Sequence, residues 1–132
     1  MNYLLDTHTL LWNLVSPKKL SIPVKKIISN PKLNLFISTV SLWEISLKYR
    51  IGKLELNGKN PEEIPGAIKS LGFYILGLDE DAAATFYKFP VSKNKDPFDL
   101  MLAHQAITYN YILVTNDPGF TDYKNYGLKT VW

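Results

Sequence analysis

Four carboxylates in this sequence have the type and placement needed to bind a metal ion. Each lies at the start or end of an expected element, and they are Asp6 (NYLLD), Glu44 (SLWEIS), Asp99 (DPFDL) and Asp117 (VTNDPG). Because ligands of open α/β sheets gather beyond the carboxyl ends of the strands, these side chains could meet at one edge. The chain has no cysteine and only two histidines, so a metal site would be built from carboxylates. Carboxylate ligands favour binding of Mg²⁺ or Mn²⁺ over Zn²⁺.

Local structure alone could also explain some of the acids. Asp96 is suited to cap a helix that has Pro97 at its first position. Asp99 would then lie in the first turn of that helix, where the helix dipole favours a negative charge. Asp117 belongs to NDPG, a typical turn sequence. For any one of these acids taken alone, the structural interpretation is the simpler one.

Glu44 and Asp6 have structural alternatives of different strength. The stretch from Ser41 to Glu44 matches a capping box, and Glu44 could also pair with Lys48 one helical turn further on. Asp6 interrupts an apolar stretch, where a carboxylate is costly to bury unless it is paired, bound to a metal or used as a cap. It could cap a helix beginning near Thr7, so its structural and functional interpretations are evenly balanced.

The elements that must position these acids alternate along the chain. Strands are predicted at residues 2–6, 33–38, 73–78, 111–115 and 128–132. Helices are predicted at residues 7–15, 21–30, 40–52, 61–70, 79–89 and 96–109. This alternation indicates βαβ units, and so an α/β fold whose mostly parallel sheet has helices on both faces. With 132 residues and neither a repeat nor a linker, one domain over residues 1–132 is expected.

Composition narrows the classes of protein further. The absence of cysteine excludes disulfides and thiolate metal sites. The most apolar stretch, residues 3–15, is shorter than a bilayer span and contains Asp6, and no basic segment precedes it. A cytoplasmic location is therefore expected. The net charge is +3, and gathering four of the 12 acids in one cleft would leave a basic surface suited to a polyanion.

Four blocks of the sequence together resemble a known family. LLDTHTLLW, STVSLWEISLKYRIGKLEL, DPFDLMLAHQA and LVTNDPGF are similar, in order and spacing, to the conserved blocks of PIN-domain nucleases, and especially to the VapC toxins of bacterial toxin–antitoxin pairs. The resemblance covers the whole chain. It implies a three-layer α/β/α fold and an endoribonuclease that depends on Mg²⁺ or Mn²⁺. It also implies a tRNA or ribosomal RNA loop as substrate, a cognate antitoxin and a homodimer.

The resemblance also assigns roles to residues. The acidic cluster that would bind the metal and carry catalysis is matched by Asp6, Glu44, Asp99 and Asp117. Supporting positions are matched by Asp96, Thr7, Thr115 and the less diagnostic Asn116. An ion held by such carboxylates would activate a water for in-line attack on an RNA phosphodiester, so that no protein nucleophile is needed. Candidates for phosphate contacts near the rim are Lys48, Arg50, Lys93 and Lys95.

The chain departs from the family pattern at two places. Leu100 replaces the basic residue that usually follows DPFD. A histidine commonly precedes that block, but here the loop has Lys93, Asn94 and Lys95, and either lysine could take its place. Neither departure affects the acidic cluster. His104 is interpreted first as a residue of a helix face and only second as a substrate contact.

Two other functions remain open at this stage. LLDTHTLL faintly resembles the strand end of haloacid-dehalogenase-type phosphotransferases, in which Asp6 would be the nucleophile. Those enzymes have a second acid two residues later, where this chain has His8. The other alternative is a non-catalytic module of the same fold that binds RNA or protein, against which the intact acidic set argues.

Overall fold

Five short apolar segments form one sheet in the computed structural model, which describes all 132 residues. The strands are β1 (Asn2–Leu5), β2 (Asn34–Ser38), β3 (Tyr74–Leu76), β4 (Ile112–Val114) and β5 (Lys129–Val131). Their order across the sheet is β3-β2-β1-β4-β5, and every neighbouring pair is parallel. The prediction of a mostly parallel sheet is confirmed. The strand order places β1 at the centre.

Six α-helices connect or follow the strands. They are α1 (Thr7–Val15), α2 (Ile22–Ser29), α3 (Thr39–Arg50), α4 (Ile64–Ser70), α5 (Glu80–Thr85) and α6 (Pro97–Tyr109). Short 3-10 helices occupy Pro17–Lys19, Pro61–Glu63, Phe86–Lys88 and Pro118–Tyr126. None of the helices is both long and apolar enough to cross a membrane.

Two hydrophobic clusters cover opposite faces of the sheet. Successive side chains of a strand point to opposite sides, so Tyr3 and Leu5 of β1 belong to one cluster and Leu4 to the other. The first cluster includes buried residues of α1, α2, α3 and α4. The second is built mainly from α6 and the 3-10 helix Pro118–Tyr126. The expected three-layer α/β/α architecture is therefore confirmed.

Two helix boundaries differ from the sequence-based expectation. Helix α3 begins at Thr39, and its cap is Ser38, whose hydroxyl accepts the Val40 N–H at 3.0 Å. The predicted capping box from Ser41 to Glu44 is therefore wrong, because β2 passes directly into the helix. The helix predicted for residues 79–89 ends at Thr85 and continues only as a 3-10 turn. Pro90 follows, and a residue before proline avoids the helical conformation.

Candidate active site

The central strands bring Asp6 and Thr115 together at the carboxyl edge of the sheet. Leu5 of β1 pairs with Val114 of β4, and the Asp6 N–H donates to the Val114 carbonyl at 3.1 Å. The Thr115 hydroxyl, one residue beyond β4, donates to Asp6 Oδ2. Two segments that are more than a hundred residues apart thus meet through the pairing of β1 with β4.

The Asp6 carboxylate is buried and held on both oxygens. Asp6 is only 5% exposed, and its Oδ1 accepts the backbone N–H of Thr9 at 2.8 Å and the Thr9 hydroxyl at 2.6 Å. These bonds make Asp6 the cap of α1, as one interpretation of the sequence expected. Burial raises the pKa of Asp6, and the hydrogen bonds from Thr115 and Thr9 oppose that rise. Oδ1 already accepts two hydrogen bonds, whereas Oδ2 accepts only that of Thr115 and can take a further contact, so capping leaves room for a ligand role.

Glu44 enters the site from the second turn of α3. It is 2% exposed, its Oε1 accepts the Thr7 hydroxyl at 2.6 Å, and its Oε2 pairs with Lys48 Nζ at 2.5 Å. The predicted pairing with Lys48 is confirmed. Burial lowers the pKa of Lys48, but the hydrogen bond and charge of Glu44, with smaller contributions from Asp96 and Asp99, more than offset this and raise it. Lys48 therefore lies close to three carboxylates.

Asp96 and Asp99 lie at the start of α6 and make different contacts. Asp96 caps the helix, because its Oδ1 accepts the N–H groups of Phe98 at 2.9 Å and of Asp99 at 3.4 Å. The predicted cap with proline at the first position is thus confirmed. The Asp99 carboxylate accepts no hydrogen bond from its own helix, and its Oδ2 lies 3.4 Å from the Asn94 amide nitrogen. Asp99 remains available to a partner outside the helix.

Asp99 carries the clearest electrostatic signature of the site. Burial is the largest cause that raises its pKa to about 7, and the charges of Asp96, Asp117 and Glu44 add to the rise. The hydrogen bond from Asn94 opposes it. Four carboxylates therefore share one region in which their negative charges are incompletely compensated.

Asp117 completes the group from the loop after β4. Its Oδ1 accepts the Gly119 N–H at 2.8 Å, which caps the 3-10 helix Pro118–Tyr126, and its own N–H donates to Thr115 Oγ1 at 3.0 Å. Asp117 and Asp6 both line a cavity of about 270 Å³, and Asn116 lies in its wall. Thr115 thus links the two acids, because its hydroxyl donates to one carboxylate and accepts from the backbone of the other residue.

The donor set suits a hard divalent cation, although the side chains are not arranged around a single point. No three Asp, Glu or His side chains lie close enough, as they stand, to hold one metal ion together. Glu44 is instead paired with Lys48, and Asp6 is engaged by two threonines. All four candidate ligands supply carboxylate oxygens, the atoms that Mg²⁺ and Mn²⁺ prefer. Burial, and then the charges of the neighbouring acids, raise the pKa of Asp99, and a nearby cation would favour its ionised form.

Asn94 is the residue of this site that sequence reasoning missed. Its Oδ1 accepts the Asp96 N–H at 2.9 Å, and its amide nitrogen lies 3.4 Å from both Asp99 Oδ2 and the Gly119 carbonyl. It therefore joins the start of α6 to the loop that carries Asp117. Neither Lys93 nor Lys95, both exposed, takes this place. An asparagine two residues before a helix cap is typical of an Asx turn, and this was the available signal.

The remaining predicted residues fall into two groups. Thr7 and Thr115 touch the acids directly, whereas Arg50 is exposed at the end of α3 and makes no hydrogen bond to the acidic group. Leu100 packs against the hydrophobic cluster that contains α6, so its side chain serves the core. His104 is buried, and its Nε2 lies 3.0 Å from the Ala82 carbonyl, which confirms its interpretation as a structural residue of the helix face.

Comparisons with known proteins agree with this architecture. A family model described as the PIN domain matches residues 3–126. No curated protein sequence matches the chain. Among solved structures, VapBC2 from Rickettsia felis bound to a promoter DNA fragment is similar at TM-score 0.65 and 20% identity over 99% of this chain and 98% of that chain.

Two further structures show the same fold. VapBC-1 from nontypeable Haemophilus influenzae matches at TM-score 0.62 and 22% identity, covering 99% of this chain and 97% of that one. DNA-bound VapBC from Salmonella typhimurium matches at TM-score 0.64 and 20% identity, with the same coverage of 99% and 97%.

Proposed function

Because the chain belongs to the PIN domain family, whose members are generally nucleases, we propose that it is a divalent-metal-dependent endoribonuclease that hydrolyses RNA phosphodiester bonds. One observation carries the proposal: the pKa of the half-buried Asp99 is raised to about 7, first by burial and then by the charges of Asp96, Asp117 and Glu44. A cluster of this kind destabilises the folded protein unless it has a cationic partner, so its presence favours a functional role.

Four carboxylates are the proposed metal ligands, directly or through water: Asp6, Glu44, Asp99 and Asp117. Their oxygen donors suit Mg²⁺ or Mn²⁺. When bound, such an ion stabilises negative charge on a phosphodiester and lowers the pKa of a coordinated water. The number of ions does not alter the assignment of these side chains.

The other residues of the site hold the acids and balance their charge. Thr115 and Thr9 fix both oxygens of Asp6, and Thr7 fixes one oxygen of Glu44. Lys48 compensates the charge of Glu44 as long as no cation binds Glu44 and no substrate phosphate binds Lys48. Hydrogen bonds of this kind keep the ligands close to their working geometry and reduce the reorganisation needed during the reaction.

The position of Asp6 disfavours the aspartyl-nucleophile alternative. A nucleophilic carboxylate needs an oxygen that can approach the phosphorus atom. Asp6 is 5% exposed, and hydrogen bonds from Thr9 and Thr115 engage both of its oxygens. Asp6 is therefore better placed to hold a cation at the floor of the site than to attack a substrate.

The biological setting is part of the same proposal. The three similar structures described above are VapBC complexes, two of them bound to DNA, and they support an antitoxin as partner. The proposed role is that of a toxin that acts on RNA in the cytoplasm. A homodimer is supported by an apolar surface near the site. Trp43 is 65% exposed, and its ring packs edge-on against Phe98 with 5.3 Å between ring centroids.

The test is cleavage of structured RNAs, including tRNA and ribosomal RNA fragments, by purified protein freed from any antitoxin. We expect cleavage with Mg²⁺ or Mn²⁺, none with EDTA, and none by Asp6→Asn or Asp99→Asn. Asp122→Asn is the matched control, because Asp122 is an exposed aspartate outside the acidic group. The proposal fails if wild-type protein cleaves nothing with either ion, or if the two site variants cleave as fast as the control.

A further inference from the structure

We propose that a basic groove beside the acidic site binds a single-stranded segment of the substrate, with a base stacked at Trp12 and His8 and phosphates at Lys19 and Lys53. This inference rests on the proposed function and names the residues that would hold the RNA beside the acids. The groove has a volume of about 390 Å³ and lies between α1, α3 and the segment that follows α3.

The groove adjoins the acids at two places. His8 and Trp12 line both the groove and the neighbouring cavity that contains Asp6 and Asp117. Thr7 also lines the groove, and its hydroxyl donates to Glu44 at 2.6 Å. A strand lying in the groove would therefore run beside His8 and Trp12, the two side chains that the groove shares with the cavity of Asp6 and Asp117.

The charge of the groove suits a phosphate backbone. Lys19, Lys48 and Lys53 all line it, and only Lys48 forms an ion pair with an acid. Lys19 Nζ lies 5.9 Å from the centroid of the Trp12 ring, so one cation and one aromatic surface adjoin. Sites that bind single-stranded nucleic acid combine two components, basic side chains for the phosphates and aromatic side chains on which bases stack.

The aromatic pair favours an unpaired strand over a duplex. The Trp12 ring is half-buried and supported edge-on by Trp132, with 5.6 Å between ring centroids. The exposed His8 ring lies 5.9 Å away, tilted by 50°. Bases inside an A-form helix are already stacked on each other, so only a loop or an unpaired end can offer a base to these rings.

The binding experiment uses the full chain carrying Asp99→Asn, so that the proposed mechanism predicts no cleavage during measurement. The probe is a fluorescent single-stranded RNA of about ten nucleotides, followed by anisotropy at several salt concentrations with Mg²⁺ present. Lys19→Gln with Lys53→Gln should make the slope of log affinity against log salt shallower by about 1.4, since each phosphate contact contributes about 0.7 on single strands.

A matched control separates the groove from general charge. Lys32→Gln with Lys129→Gln removes the same charge from exposed lysines at the opposite edge of the sheet, before β2 and at the start of β5. The control pair should leave the salt slope unchanged. If the groove pair and the control pair give the same slope, the assignment of phosphates to the groove is wrong.

Stacking has its own variants. His8→Ala removes an exposed ring, and Trp12→Leu keeps an apolar side chain in the core contact; each should weaken single-stranded RNA binding at least about fivefold. Circular dichroism melting shows whether Trp12→Leu stays folded, and His8→Ala provides the answer if it does not. Unchanged affinity in His8→Ala, or equal binding of a blunt duplex of the same length, would overturn the proposal.

Failure of the groove and failure of the nuclease give different results. If the wild-type protein cleaves RNA but the groove variants keep full affinity for RNA, the groove proposal is wrong and the nuclease proposal is supported. If the wild-type protein cleaves no RNA, and its affinity for RNA nevertheless depends on the groove residues, the groove proposal is supported and the nuclease proposal is wrong. Binding of an acidic peptide at the groove without any RNA binding would also overturn it.

Discussion

Replacing Asp99 by asparagine should make the metal-free protein more stable while it removes activity. The pKa of Asp99 is raised from 3.8 to about 7 by burial and by the neighbouring acids, so ionising it in the folded state is unfavourable. At a pH well below 3.8 the group is protonated in both the folded and the unfolded chain, and it has no effect on the free energy of unfolding. As pH rises from about 3.8 to about 7, wild-type stability falls, because the unfolded chain ionises at its ordinary pKa while Asp99 of the folded protein stays protonated. Above about pH 7 both states are ionised and the loss of stability stays constant.

The size of the effect follows from that pKa difference. A change from 3.8 to about 7 corresponds to about 4 kcal/mol once both states are ionised. Asp99 is half-buried, and solvent screens part of its interaction with the other acids, so we expect about 2 kcal/mol at about pH 8. For a chain of 132 residues this corresponds to a rise in Tm of about 7 °C. Near pH 4.5, Asp99→Asn should exceed wild type in free energy of unfolding by only about 0.5 kcal/mol.

The assay is urea or thermal unfolding of wild type, Asp99→Asn and the exposed control Asp122→Asn, each in EDTA at about pH 4.5 and 8. The free-energy difference between Asp99→Asn and wild type should grow with pH, and the control should follow wild type. An Asp99→Asn protein that is less stable than wild type at the higher pH would refute the reasoning. A difference independent of pH would also refute it, because it could not arise from ionisation.

Three further predictions concern the residues around Asp99. In thermal melts, Mg²⁺ at about a hundred times its Kd should stabilise the wild-type protein by about 2.7 kcal/mol and should not stabilise Asp99→Asn. Asp96→Ala should lose about 1 kcal/mol of stability with its helix cap, yet Mg²⁺ should still stabilise it. If both variants are folded and both lose the Mg²⁺ effect equally, Asp96 and Asp99 do not have different roles. Thr115→Val should cost about 1–3 kcal/mol in urea unfolding by leaving Asp6 Oδ2 unpaired, and Thr115→Ser should restore most of it. Asn94→Ala should raise the Mg²⁺ concentration for half-maximal cleavage by about tenfold or more, which a purely structural loop residue would not do.

Much of the local structure could be predicted from the sequence, because its causes are local. Short apolar runs indicated all five strands, and the candidate caps Asp6 and Asp96, the latter with Pro97 after it, indicated where α1 and α6 begin. The incorrect prediction of the α3 cap also has a local cause. Ser41 and Glu44 fit a capping box, but Ser38 was already the cap, since the strand before it continues without a loop.

The sequence by itself determined that acids stand at element ends and that Asp96 caps α6, since capping depends on neighbours within one turn. Only the tertiary structure decided which acids lie near one another. The contact between Thr115 and Asp6, the pairing of Glu44 with Thr7, and the bridge made by Asn94 all depend on the strand order that places β4 beside β1 and on helices packed over it. Such contacts join distant segments, and they are fixed by packing of the whole core, which no local pattern encodes.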